Sequence, residues 1–150
     1  MSASEKSSRL APAPAPGPAD LGRLAAVTAD AGVRVDVCRT EDEHPLPADI
    51  DLSAYRIVQE ALTNVVRHAG TGHCRVTIDY GNEELSVEVV DDGRGSTGSG
   101  SGHGFGIIGM RERAGLLGGR LSAGPRPESG FRVAARLLLP ARAGVPVEAR

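Results

Sequence analysis

The chain has 150 residues, of which 40% are hydrophobic and 24% charged, and its formal net charge is −2. This length suits one domain with a single core, and the near absence of aromatic residues leaves that core to aliphatic side chains. The charge excludes a broad basic surface for nucleic acid, and no apolar run approaches the length of a membrane-spanning helix.

The scarcity of lysine excludes two common classes of nucleotide-binding protein. The only lysine is Lys6, near the start of the chain. A P-loop needs a lysine directly after its glycine-rich loop, and a protein kinase needs one on a strand of its ATP site. Both classes are therefore excluded.

The ends of the chain differ in composition from its middle. Residues 1–20 contain Ala-Pro repeats, which predict an extended tail or linker, and residues 141–150 predict a loose C-terminal tail. Between them, residues 21–140 form the predicted domain. It opens with a helix over residues 21–31 and a strand carrying Val33, Val35 and Val37, followed by an acidic loop in which His44 is expected to be solvated. Cys38 and Cys74 lack metal-binding spacing and are expected to be buried free thiols.

Residues 55–69 predict a helix with two distinct faces. Apolar residues recur at helical spacing and predict a buried stripe, namely Ile57, Val58, Ala61, Leu62, Val65 and Val66. The other face carries Glu60, Asn64, Arg67 and His68, one turn after another. An acidic side chain, an amide and basic side chains along one face of a helix suit the binding of a metal-bound nucleotide triphosphate. The alternative is the solvated face of an ordinary amphipathic helix.

Alternating strands follow this helix. Cys74, Val76, Ile78 and Tyr80 alternate with polar residues, and Leu85, Val87 and Val89 do the same after a turn, which predicts a hairpin with one apolar face. Two more strands are predicted from Leu121 and from Phe131. Five strands and three helices indicate an α/β two-layer sandwich, in which a mixed, mostly antiparallel sheet has helices on one face.

The hairpin ends in Asp91-Asp92-Gly93-Arg94-Gly95, and residues 93–109 then carry eight glycines before a helix predicted over residues 107–117. Alone, this glycine-rich segment indicates a linker. Residues 104–109 also match the dinucleotide-binding pattern, but no strand precedes them, so that match is rejected.

These three blocks, in this order, resemble the N, G1 and G2 boxes of the GHKL ATPase superfamily. Within it, residues 56–64 and the Gly-Met-Arg-Glu-Arg block at 109–113 are similar to nitrate-sensor-like sensor histidine kinases. The resemblance covers roughly residues 21–140 and implies the Bergerat ATP-binding fold. Departing from the subfamily pattern, Phe105 stands between Gly104 and Gly106 where histidine is usual.

The resemblance implies a role for each site residue. Asn64 would bind Mg²⁺ through its amide oxygen, Glu60 would act through the metal's water, and Arg67 and His68 would contact phosphates. Asp91 would accept a hydrogen bond from the adenine amino group, with Gly93 and Gly95 allowing close approach of the backbone. Gly104 and Gly106 would belong to a mobile ATP lid formed by residues 93–109. Asp92 is expected to be exposed, because neighbouring strand residues point to opposite faces. Arg111 and Arg113 would either reach phosphates or pair on the lid helix.

The activity implied is that of the catalytic domain of a histidine kinase. It would bind Mg-ATP and pass the γ-phosphate to a histidine on a separate dimerisation domain, and through it to a response regulator. None of the four histidines lies in a helix suited to accept phosphate, so we expect no self-phosphorylation. We expect a monomer in the cytoplasm, without direct nucleic-acid contact and without a membrane segment in this chain. An anti-sigma-like serine kinase and a nucleotide-responsive binding module without phosphotransfer remain alternatives.

Overall fold

A computed structural model describes residues 16–40, 44–93 and 104–140. The predicted terminal tails lie mostly outside these ranges, as do Gly95, His103 and most of the predicted lid. Residues 17–20 nevertheless belong to the folded part, because Gly17 and Pro18 are buried and Pro18–Asp20 form a 3₁₀ turn. The guanidinium of Arg39 donates to the carbonyl of Pro18 at 3.0 Å, which ties this turn to the first strand.

In the part of the chain that the structure describes, three α-helices form one layer of the fold. Helix α1 spans Leu21–Asp30, α2 spans Ala48–Asn64 and α3 spans Gly104–Leu116. Helix α3 thus begins three residues earlier than predicted, so the last part of the predicted lid is helical. In the described ranges, no helix combines the length and the apolarity needed to cross a membrane.

The main helix α2 follows its predicted pattern, with one exception. Acidic residues occupy its first turn, where they complement the helix dipole. After Asn64 the chain continues into a wider π-helical turn, Val65–Ala69, which ends at Gly70 in the left-handed conformation. Val65 is buried, but Val66 is 39% exposed, so its predicted place in the buried stripe is wrong. A π turn holds more residues per turn than an α-helix, which rotates Val66 away from the core.

The second layer is a five-stranded sheet in the order β1-β2-β3-β5-β4. Its strands are β1 Arg34–Arg39, β2 His73–Tyr80, β3 Glu84–Asp91, β4 Arg120–Pro125 and β5 Phe131–Leu138. Among the described strands, only β1 and β2 pair in parallel. The three other pairs are antiparallel. The predicted mixed, mostly antiparallel two-layer sandwich is confirmed.

The core lies between the helices and one face of the sheet. Alternate residues of β2 and β3 enter it, among them Val76, Ile78, Leu85 and Val87, each at most 1% exposed. Met110 and Ala114 of α3 cover the same face. Two minor expectations are wrong. Cys38 is exposed on the outer face of β1, and His44 packs edge-on against Tyr80 at 5.6 Å between ring centroids.

Candidate functional site

The polar face of α2 and the first turn of α3 meet at one point. Glu60 and Asn64 are both half-buried, one turn apart near the end of α2. A β-carbon built on Gly106 would lie 2.6 Å from Oε2 of Glu60 and 3.2 Å from Nδ2 of Asn64. The structure therefore brings three of the predicted site residues together, and it leaves room at position 106 only for a hydrogen atom.

Arg67 and His68 follow in the π turn, and both are exposed. Arg67 lines a groove of about 220 Å³ between α1 and α2, beside Thr63 and Val66. The wider turn places Arg67 in line with Thr63, whereas regular α-helical spacing would align it with Glu60 and Asn64. Arg67 therefore lines this groove, whereas Glu60 and Asn64 contact the position of Gly106.

Asp91 is the last residue of β3 and is 3% exposed. Its carboxylate faces the helix layer and accepts a hydrogen bond from the backbone N–H of Gly93 at 2.8 Å. Burial raises the pKa of this carboxyl above its ordinary value, while hydrogen bonds from the backbone of Gly93 and Phe131 act in the opposite direction. A carboxylate held in so little water can discriminate strongly among hydrogen-bonding partners.

The neighbouring Asp92 is exposed, as the strand alternation predicts. Its side chain lies on the outside of the sheet, where it contacts His73 and Arg126. The two adjacent aspartates therefore cannot act as a catalytic pair on one ligand.

Two residues of the turn between β4 and β5 contact the main chain of Asp91, and neither is evident from the sequence. Nη1 of Arg126 donates to the carbonyl oxygen of Asp91 at 3.0 Å. Gly130 has φ +91° and lies so close that a β-carbon there would overlap the same oxygen. The sequence offers one local indication of these contacts, the glycine that follows Glu128-Ser129. The contacts themselves arise because β3 and β5 are neighbours in the sheet.

The site offers few protein oxygen ligands for a hard divalent cation. No cluster of three or more His, Cys, Asp or Glu side chains that could hold a metal occurs among residues 16–40, 44–93 and 104–140. Mg²⁺, however, commonly takes one or two protein oxygens and fills its other positions with water and phosphate. The amide of Asn64 and the carboxylate of Glu60, beside Gly106, suit that mode of binding.

Residues 50–141 match the family model described as "Histidine kinase-, DNA gyrase B-, and HSP90-like ATPase". The chain belongs to this ATPase family. The predicted family is confirmed, and membership supports ATP as the ligand of the site.

Curated relatives point to one branch of the family. The chain is 41% identical over 91 residues to the sensor histidine kinase YxjM of Bacillus subtilis, covering 61% of this chain and 22% of that protein. It is 32% identical over 110 residues to LnrJ of the same species, covering 73% and 27%. It is 36% identical over 112 residues to NarS of Mycobacterium tuberculosis, covering 70% and 25%. The chain thus spans about a quarter of the length of these relatives.

A solved structure agrees with these relatives. The histidine kinase domain of the blue-light activated kinase from Erythrobacter litoralis matches with a TM-score of 0.63 and 26% identity, covering 86% of this chain and 65% of that one. The architecture of the described residues is therefore that of a histidine kinase ATPase domain.

Proposed function

We propose that the chain binds Mg-ATP and donates the γ-phosphate to a histidine on a separate dimerisation domain, in two-component signalling. The proposed ATPase domain covers residues 21–140 together with the turn that precedes it. It works in the cytoplasm, where ATP is available.

The observation that carries this proposal is the buried carboxylate of Asp91. It lies at the end of a central strand, on the helix side, next to the glycines that open the lid segment. An adenine amino group could donate to the remaining lone pairs of Asp91. Guanine presents a carbonyl oxygen at the equivalent position, which a carboxylate repels, so the site favours ATP over GTP.

The phosphates are assigned to the polar end of α2 and to the lid. Asn64 would ligate Mg²⁺ through its amide oxygen, and Glu60 would hold a water of the metal. When bound, the cation neutralises charge on the phosphates and orients them. His68 would contact phosphate oxygens, and Arg67 would do so by extending its exposed side chain out of the groove between α1 and α2. We assign Gly93, Gly95, Gly104 and Gly106 to close approach of the backbone.

The phosphate acceptor is proposed to lie on another domain or chain. His68 lies in a five-residue π turn and His73 begins a strand, so neither lies in a long helix of the kind that an acceptor histidine needs. A dimerisation domain carrying the acceptor histidine, and a response regulator beyond it, complete the pathway.

The relatives described above are named sensor histidine kinases, which favours this activity over the anti-sigma-like serine kinase and over a binding module without transfer. Radiolabelled ATP mixed with the chain and a panel of dimerisation domains separates the three. We expect acid-labile, base-stable label on the dimerisation domain. Acid-stable label would indicate a serine kinase, and binding without label would indicate a binding module.

Asp91→Asn tests the adenine assignment directly. We expect ATP affinity to fall by about 1 to 3 kcal/mol, the cost of mispairing a buried polar group, while affinity for GTP changes much less. Asp79→Asn is the matched control, because Asp79 is exposed on the outer face of the sheet. Equal losses for ATP and GTP would remove Asp91 from the adenine pocket.

A further inference from the structure

Four side chains on the outside of the sheet form a continuous chain of polar contacts, which we call the outer network: Asp36, His73, Asp92 and Arg126. Nε2 of His73 lies 2.7 Å from Oδ2 of Asp36, and Nδ1 lies 3.0 Å from Oδ2 of Asp92. Nη1 of Arg126 lies 3.4 Å from Oδ1 of Asp92. The outer network therefore links β1, β2, the end of β3 and the turn after β4.

The outer network is attached to Asp91 at two points. Asp92 is its covalent neighbour, and the same Nη1 atom of Arg126 donates to the carbonyl oxygen of Asp91. The backbone N–H of Arg126 donates to the carbonyl of Gly130 at 2.9 Å, which closes the turn against Asp91. Asp91 thus presents its carboxylate to the inside while its main chain is held from the outside.

Both bonds to His73 require its charged form. A neutral imidazole has one N–H, and ionised carboxylates only accept hydrogen bonds, so two carboxylates can be bonded at once only by an imidazolium. The bonds to Asp36 and then to Asp92 raise the pKa of His73 above its ordinary value. In return, the hydrogen bond from His73 lowers the pKa of Asp36 and of Asp92.

Other charged groups near the outer network are few in the described part of the chain. Nε of Arg34 lies 4.0 Å from Oδ1 of Asp36, and Arg75 also acts electrostatically on Asp36. Both arginines stay charged over the range in which histidine titrates, so they do not contribute a pH dependence of their own there. The backbone N–H of His73 donates to the hydroxyl of Thr71 at 3.3 Å, which does not titrate.

We propose that the outer network positions Asp91 for adenine, so that ATP affinity depends on whether His73 is protonated. The inference rests on the proposed function of Asp91 and adds three positioning residues, His73, Asp92 and Arg126. When His73 loses a proton, one carboxylate loses its hydrogen bond. The contact with Asp92 is the longer of the two, and Asp92 is the more exposed carboxylate, so this bond is released first.

The direction of the effect follows from the raised pKa of His73. The charged form, and with it both contacts, is complete below the ordinary histidine pKa of about 6.5. It is lost as pH rises through the raised value. ATP affinity should therefore fall with rising pH, by about two- to fivefold, the range for an exposed ion pair.

The experiment compares the unsubstituted chain with His73→Gln by calorimetric ATP titration from about pH 6 to about pH 9. Glutamine keeps a donor but never carries the charge. The ratio of the two dissociation constants cancels the titration of ATP itself, which is common to both measurements. We expect His73→Gln to bind about two- to fivefold more weakly at the lowest pH and equally well at the highest.

Further variants distinguish a role in positioning Asp91 from a general contribution to stability. Asp92→Asn should flatten the pH profile as His73→Gln does, which keeps the test valid if one variant folds poorly. Arg126→Gln should weaken ATP binding, and Arg126→Lys should restore part of it. Arg132→Gln is the matched control, because it removes an exposed contact with Glu88 on the same sheet face and should leave the profile unchanged.

Parallel profiles for His73→Gln and the unsubstituted chain, with ATP bound in both, would overturn this inference and leave the proposed function intact. If the unsubstituted chain bound no ATP at any pH, the proposed function would fail and this inference with it.

Discussion

Gly106 at the start of α3 lies directly against the carboxylate of Glu60 on α2, so that a β-carbon at position 106 would lie 2.6 Å from Oε2. This contact joins the helix that carries the polar row to the helix that follows the lid. The distance is shorter than ordinary van der Waals contact between carbon and oxygen. Glycine at position 106 therefore leaves space for the carboxylate of Glu60, and its role does not depend on backbone conformation.

Gly106→Ala should weaken ATP binding while the chain still folds. The added methyl group meets the far end of a flexible side chain, so Glu60 can move aside, but its carboxylate then leaves the site. We expect a loss on the order of tenfold in ATP affinity, the effect of one misplaced charged hydrogen-bonding group.

Gly109→Ala is the matched control, because it lies three residues later in the same helix and nothing is within 4 Å of its added β-carbon. It should keep ATP affinity and raise the free energy of unfolding by about 0.5 to 1 kcal/mol. Equal ATP affinity in the two variants, measured by calorimetry, would show that Gly106 has no special place in the site.

Asn64→Asp should weaken Mg-ATP more than metal-free ADP, because the new charge lies at the proposed position of the metal and the γ-phosphate, which this ADP lacks, and not beside the base. Gln59→Glu makes the same amide-to-carboxylate change at an exposed position of α2, more than one turn earlier. That control should change neither affinity by more than about twofold, since an exposed charge is screened. Calorimetry with and without magnesium is the measurement, and identical effects of the two substitutions would return Asn64 to an ordinary helix face.

Sequence patterns predicted most of the fold because each element carries its own period. The alternation in β2 and β3 placed Asp91 inside and Asp92 outside, and the structure agrees. The helical period failed at Val66 and Arg67, where a π turn changes the number of residues per turn. The composition of Val65–Ala69 does not predict this change.

Contacts between distant strands could not be predicted in the same way. Arg126 reaches Asp91 across 35 residues of sequence only because β5 returns beside β3 and the turn before β5 ends above Asp91. His73 meets Asp36 because β1 and β2 pair in parallel with a particular register. Strand order and register result from the packing of the whole domain, and they decide which exposed charges meet.

The pH dependence of stability offers a second test of Asp91. Because burial raises its pKa, the native state binds the proton more tightly than the unfolded state. The free energy of unfolding of the chain, relative to Asp91→Asn, should therefore increase as pH falls from about 7 to about 4, by about 1.4 kcal/mol for each unit of pKa difference. Urea unfolding of both proteins at several pH values measures this. A difference that stays constant would mean that the native carboxyl titrates normally.

Gly130 and Gly124 make a matched pair in neighbouring parts of the same hairpin. Gly130 has φ +91°, and a β-carbon there would overlap the carbonyl oxygen of Asp91, whereas nothing lies within 4 Å of a β-carbon at Gly124. Gly130→Ala must therefore strain the turn and push the main chain of Asp91 away. We expect a loss of about 1 to 3 kcal/mol in the free energy of unfolding, the usual cost of a strained backbone conformation.

The same substitution should weaken ATP binding on the order of tenfold, because the displaced Asp91 is no longer oriented to accept a hydrogen bond from the adenine amino group. Gly124→Ala should leave both quantities close to those of the unsubstituted chain. Urea unfolding and ATP titration of the two variants decide the matter. If Gly130→Ala lost stability but bound ATP normally in the folded fraction, the turn would support the sheet without positioning Asp91, and the contact through Arg126 would have to hold that residue alone.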